Sequence, residues 1–184
     1  MIVIGITGTI GAGKGTVVDY LVNKRHFKHY SVSGYLKEKL IKKGLEPNRD
    51  NLQEVANQIR EKYGPDYIAG KLYIKAKRQK GSVVIESIRN PKEAEFIRSQ
   101  KNSYLFAVDA NQKIRYLRIQ KRNSEKDNIT FKKFKEQEEK EFQSKDPNAQ
   151  NLPKCIEMAD YKFDNNDTIN KLYEKVEKVI SKIS

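Results

Sequence analysis

A chain of 184 residues with 37% apolar and 33% charged side chains suffices for one domain with a modest core. Its 37 Lys and Arg against 24 Asp and Glu leave a net charge of +13, which suits a solvated Lys-rich surface, attraction of anionic metabolites such as nucleotides, or a nucleic-acid-binding face. The single cysteine, Cys155, excludes an internal disulfide, and no apolar run approaches the ~18 residues of a membrane helix.

In chain order, Met1 to Thr7 reads as a continuous apolar strand, buried on both faces. Its Gly-rich sequel and short length do not suit a signal peptide, and with a lone thiol the expectation is a cytoplasmic protein. A glycine-rich turn over Gly8–Gly15 leads into a helix from Thr16 to Arg25, with Val17, Val18, Leu21 and Val22 on one side. Phe27 to Val32 is a second strand, flanked at its start by His26 and His29, which lack partners at metal spacing and read as structural. Helices follow over Gly34–Lys43, stopped by Gly44, over Arg49–Tyr63, stopped by Gly64-Pro65, and over Asp66–Gln79. Ser82–Glu86 is a buried strand, and Pro91 opens a helix to about Gln100. Tyr104–Val108 is a strand and Gln112–Arg122 a helix. Asn123–Thr130 is polar, Phe131–Phe142 a charged helix, and Ser144–Pro153 a loop. Tyr161–Phe163 is a fifth strand. A closing helix over Thr168–Ile183 has Ile169, Leu172, Val176, Val179, Ile180 and Ile183 as its apolar stripe. Strands alternating with helices predict an α/β fold of three layers around a five-stranded parallel sheet.

The segment Gly8-Thr9-Ile10-Gly11-Ala12-Gly13-Lys14-Gly15-Thr16 carries the G-x-x-x-x-G-K core of a P-loop, directly after a buried strand and at the start of a helix. Backbone N–H groups must turn inward to wrap phosphate oxygens, and side chains at the glycines would block that approach. Lys14 adds positive charge for the β- and γ-phosphates, and the helix N-terminus faces the same anion. Gly8, Gly11, Ala12, Gly13, Lys14, Gly15 and Thr16 are therefore the candidate nucleotide-binding residues. Gly15 stands where the strict motif has a Mg²⁺-holding Ser or Thr, and Thr16 follows it.

The GKGT form resembles the nucleoside monophosphate kinase family, adenylate kinase in particular, and the related dephospho-coenzyme A and deoxynucleotide kinases. The resemblance implies a P-loop NTPase fold with an acceptor-binding helical insertion (residues 33–80) and a short lid (123–151), with ATP and Mg²⁺ as cofactors. It also implies that Thr16 contacts a phosphate. Val32-Ser33-Gly34 is similar to the family segment that opens the acceptor-binding helices. The family's arginine a turn later is replaced by Lys37, Glu38 and Lys39, so Ser33, Lys37 and Arg49 are acceptor candidates. In Val83–Asn90 a buried strand ends in Glu86 and an Arg follows at Arg89. Ligands of doubly wound sheets sit at such strand ends. Glu86 is a candidate for holding Mg²⁺, with Thr16, or orienting the acceptor, and Arg89 for gripping its phosphate. Arg115, Arg118 and Arg122 share a helix; Arg118 and Arg122 share a face and resemble lid arginines that neutralise the transferring phosphoryl group. Ala159-Asp160 to Asn165 resembles a family segment beside the adenine pocket.

The expected catalytic set is thus Lys14, Glu86, Arg89, Arg118 and Arg122, acting on a nucleoside or deoxynucleoside monophosphate. A dephospho-coenzyme A kinase-like activity is the alternative enzyme, although Ser31-Val32-Ser33 stands where that family has D-x-D. An ATP-binding regulatory or nucleic-acid-linked ATPase is the alternative of another class. The expected partners are small nucleotides, with nucleic acid as the weaker option and no membrane; the assembly is a monomer or homodimer.

Overall fold

The computed structural model describes residues 1–122, 129–142 and 146–184. Five parallel strands make one sheet in the order β2-β3-β1-β4-β5: β1 (Val3–Gly8), β2 (Lys28–Ser31), β3 (Val83–Glu86), β4 (Ser103–Asp109) and β5 (Tyr161–Asp164). β1 is central and buried at every position, as its unbroken apolar run requires. Its register sets Ile6 opposite Glu86 on β3, so the carboxylate at the end of β3 and the turn after β1 emerge side by side.

Helices cover both faces. α1 (Lys14–Arg25) and α9 (Ile169–Ile183) close one core around Ile4, Ile6, Val18, Leu21, Phe106, Leu172, Val176 and Ile180. On the other face α2 (Val32–Lys42), α3 (Arg49–Tyr63), α4 (Tyr67–Lys77), α5 (Pro91–Ser99) and α8 (Leu152–Glu157) close a second core around Val3, Leu36, Leu40, Ile68, Val83, Ile85, Ile97 and Leu105. Each fully buried Leu or Ile contributes about 1.5–3 kcal/mol of transfer free energy. A third cluster, Ile10, Ile119 and Phe134, packs α6 (Gln112–Arg122) and α7 (Phe131–Phe142) against the turn after β1. The three-layer α/β architecture expected from the sequence is the one observed.

Local differences have simple causes. α8 was expected as loop up to Pro153; proline is tolerated in a first helical turn, and Asn151 caps the helix by accepting from Lys154 N–H. Val32 belongs to α2, because Ser31 ends β2 and caps that helix through Gly34 N–H. Ile169, expected in the stripe of α9, is exposed, since Thr168 caps the helix there and the core begins at Leu172. The lid-like region expected over 123–151 includes residues 123–128 and 143–145, which lie outside the described residues. Cys155 is a packed thiol: burial, with Glu93 nearby, pushes it up to about 12. No helix among the described residues is long and apolar enough to cross a membrane.

Candidate active site

The turn between β1 and α1 is held in one shape by its glycines and its neighbours. Gly8, Gly11 and Gly13 have φ of +134°, +75° and +99°. A Cβ at Gly8 would fall 2.0 Å from the Val108 carbonyl oxygen, and one at Gly11 2.5 Å from that of Arg115. Three side chains from other elements pin the loop. Thr9 Oγ1 donates to Asp109 Oδ1 at 2.5 Å, Arg115 Nη1 to the Ile10 carbonyl at 3.1 Å, and Asn165 Nδ2 to the Ala12 carbonyl at 2.8 Å. Lys14 Nζ bridges the Gly8 and Thr9 carbonyls at 2.8 and 2.7 Å. α1 follows Gly13 at its N-cap, with no side-chain cap and no acidic residue in its first turn, so its N–H groups and dipole are left for an anion. Gly11, Gly13, Lys14, Gly15 and Thr16 line the cleft above. Gly8 contributes its carbonyl to Lys14 instead, and the Ala12 methyl is fully buried beneath the loop.

Glu86 lies beside this cradle. Ser31 Oγ donates to Glu86 Oε1 at 3.0 Å, and His29 Nε2 stands 3.6 Å from the same oxygen. Burial pushes the carboxyl up, but His29, Ser31 and Lys14 outweigh it, and the net shift is downward. Hydrogen bonding to Glu86 raises His29 in turn, against its own partial burial. His29, read from sequence as structural, is thus the partner of the strand-end acid. Ser87 follows at φ +66°, a left-handed conformation, and its hydroxyl meets Ser33 Oγ at 3.3 Å.

A cavity of about 750 Å³ is lined by the P-loop, Glu86 and a basic wall. Ser33, Arg49, Arg89, Arg118 and Arg122 all line it, together with apolar Val32, Leu36, Leu52 and Ala56. Arg89 Nη1 donates to Gln150 Oε1 at 3.3 Å, and Arg49 Nη1 to Gln137 Oε1 of α7 at 3.0 Å. Arg118 Nη1 is buried and meets no hydrogen-bond partner among the described residues. Lys37 is a correction: it is exposed and outside the cleft. α2 turns Ser33 and Leu36 inward, and one residue further lies about 100° around the helix.

Two arginines differ from the sequence reading. Arg115 is buried, reaching Ile10, Ala110 and Glu138, so it braces the P-loop against α7 and leaves Arg118 and Arg122 at the cleft. Arg60, which sequence reasoning missed, lines the cleft while 1% exposed, paired with Glu93 Oε1 at 3.0 Å and bonded to the Asn148 carbonyl at 3.3 Å. Its signal was an Arg four residues after Ala56 and eight after Leu52, on the helix's inward stripe.

No group of three or more His, Cys, Asp or Glu among the described residues can hold a metal alone. Thr16 and the ionised Glu86 at the cleft fit a hard cation that takes its remaining ligands from phosphate and water, as Mg²⁺ does.

An AAA domain family model matches residues 4–143. A UPF0200 protein of Pyrococcus horikoshii is 31% identical over 98% of this chain and 97% of its own. Among solved structures, shikimate kinase from Bacteroides thetaiotaomicron superposes with a TM-score of 0.62 at 15% identity, covering 98% of both chains. Shikimate kinase from Acinetobacter baumannii superposes with a TM-score of 0.58 at 17% identity, covering 99% of this chain and 94% of its own. These neighbours share a P-loop kinase-like fold with it. The chain belongs to the AAA domain family and to the UPF0200 group of proteins.

Proposed function

We propose that this protein transfers the γ-phosphoryl group of ATP to a small phosphate-bearing acceptor, a nucleoside or deoxynucleoside monophosphate. The observation that carries the reading is one continuous cleft lined by the P-loop, by Glu86 and by Arg49, Arg60, Arg89, Arg118 and Arg122. An ATP triphosphate fits the loop amides and Lys14, and the acceptor phosphate fits the arginine wall. An acceptor oxygen then attacks the γ-phosphorus as the bond to the β–γ bridging oxygen breaks, and ADP leaves. Such a transfer depends on positioning and charge neutralisation more than on covalent chemistry. Lys14 and Arg118, with Arg122, meet the charge on the transferring group. Thr16 and Glu86 would hold Mg²⁺, which when bound neutralises the β- and γ-phosphate oxygens. In this reading the helices of residues 33–80 form the acceptor side.

Glu86 Oε1 is engaged by Ser31 Oγ at 3.0 Å and faces His29 Nε2 at 3.6 Å, a setting that suits a carboxylate holding a cation, whereas the hydroxyl acceptor of a dephospho-coenzyme A kinase-like reaction would call for a carboxylate free to take its proton. The test is ADP release from Mg²⁺-ATP with a panel of nucleoside monophosphates, deoxynucleoside monophosphates and dephospho-coenzyme A, against Lys14→Ala. Monophosphate-dependent turnover that the substitution removes supports the reading. Turnover only with dephospho-coenzyme A moves it to the hydroxyl acceptor, and ADP release indifferent to every acceptor moves it to a regulatory ATPase.

A further inference from the structure

We propose a second binding surface, for single-stranded nucleic acid, on the outer face of α2, α3 and α4, behind the cleft. Its basis is a ladder of tyrosine rings and ammonium groups. Lys39 Nζ lies 5.5 Å from the centre of the Tyr35 ring. Lys71 Nζ lies 6.0 Å from the same ring and 5.3 Å from Tyr67, whose hydroxyl it meets at 3.2 Å. Tyr67 stacks on Tyr63 with centroids 4.8 Å apart, and Lys62 closes the row 5.2 Å from Tyr63. Three rings and three cations from three helices thus share one surface, with Lys71 between Tyr35 and Tyr67 and with Tyr67 and Tyr63 stacked on each other. A second pair, Lys75 over Tyr30 at 5.8 Å, flanks it on α4.

The charge of these helices is strongly positive. Between Ser33 and Lys80, leaving out Arg49, Asp50 and Arg60 at the cleft, there are ten Lys and Arg against five Asp and Glu. On α5, α8 and α9 lysines pair with carboxylates: Lys92 with Glu95, Lys154 with Glu157, Lys171 with Asp167. Among the described residues Lys39, Lys62, Lys71 and Lys75 have ring partners and no carboxylate partner. Each is exposed, and Tyr63 is 53% exposed.

The combination of rings and cations selects the partner. Lys71, between Tyr35 and Tyr67, suits a phosphate, and an exposed ring such as Tyr63 can stack only on a base whose face is free. A duplex hides its base faces, so a purely electrostatic surface would accept duplex and single strand alike. None of these residues lines the cleft, so the surface is independent of the kinase reading.

The experiment is fluorescence anisotropy of labelled single-stranded RNA and DNA of about 12 nucleotides, and of a duplex of the same length, over a salt series without ATP. The wild type is expected to prefer the single strands. The Lys39→Gln/Lys71→Gln variant should bind more weakly, with a salt slope smaller by about 1.4. Tyr63→Ala, at an exposed ring, should lose about 5–150-fold with the slope unchanged, the cost of one stacked base. Lys14→Ala should bind as the wild type does, which separates this surface from the nucleotide site. Equal binding of duplex with a silent Tyr63→Ala, or no binding at low salt, overturns the proposal. Binding of anionic phospholipid vesicles in place of oligonucleotides also overturns it.

Discussion

His29 Nε2 and Glu86 Oε1 face each other across 3.6 Å at the edge of the cleft, one from β2 and one from the end of β3. The pair gives stability a defined pH dependence. The folded pKa of His29 lies above its ordinary 6.5, so its contribution is full below about 6.5 and lost as pH rises through the raised value. That of Glu86 lies below its ordinary 4.5, so its contribution is full above about 4.5 and lost as pH falls through the lowered value. Both are complete between those limits. His29→Ala is therefore expected to lower Tm more at about pH 5.5 than at about pH 9. Thermal unfolding at the two values checks this; an equal deficit at both would mean that the imidazole acts by packing alone.

Arg118 lines the cleft and carries a buried Nη1 without a hydrogen-bond partner among the described residues, which leaves it available to an anion. Under the proposed function, Arg118→Ala should lower kcat by about 10²-fold or more with little change in acceptor KM. Arg118→Lys should not restore it, because an ammonium lacks the planar fork. Steady-state kinetics decide it: a change confined to KM would make Arg118 an acceptor-binding residue instead.

The buried Arg60–Glu93 pair ties the cleft wall to the start of α5. Glu93 also accepts from the N–H groups of Arg89 and Asn90 at 3.2 Å each, so one carboxylate positions Arg89 and caps the helix. Glu93→Ala leaves a buried guanidinium unpaired and is expected to cost about 3–5 kcal/mol. Denaturant unfolding measures it. A loss under about 1 kcal/mol would mean that water or a neighbour replaces the carboxylate.

Gly8→Ala should destabilise by at least about 2 kcal/mol, since the new Cβ would meet the Val108 carbonyl at 2.0 Å and φ is +134°. At Gly15 a Cβ meets nothing within 4 Å, so Gly15→Ala should fold normally. Comparing the two by thermal unfolding separates the glycines that shape the loop from the one beside the ligand space. Equal destabilisation would contradict this division.

Much of the protein was legible from sequence because the signals are local. The run Val3–Gly8, the glycines before Lys14 and the period of α9 each record constraints on neighbouring residues. Glu86 could be placed near the P-loop because strand-end positions of a parallel sheet converge. α8 was missed because Pro153 reads equally as loop or as first helical turn. The apolar stripe assigned to α9 ran one turn too early, because spacing alone cannot say where a helix leaves the sheet.

The chain by itself thus determined the α/β order, the phosphate cradle and the candidate acid and arginines. Only the tertiary structure decided that His29 belongs to Glu86, that Arg115 braces the loop while Arg118 opens to the cleft, that Arg60 is buried on Glu93, and that Lys37 faces solvent. Those outcomes depend on strand register and helix rotation, which bring together residues from separate elements. Sequence spacing carries information about neighbours along the chain, and neighbours in space become visible only once the sheet has aligned its strand ends.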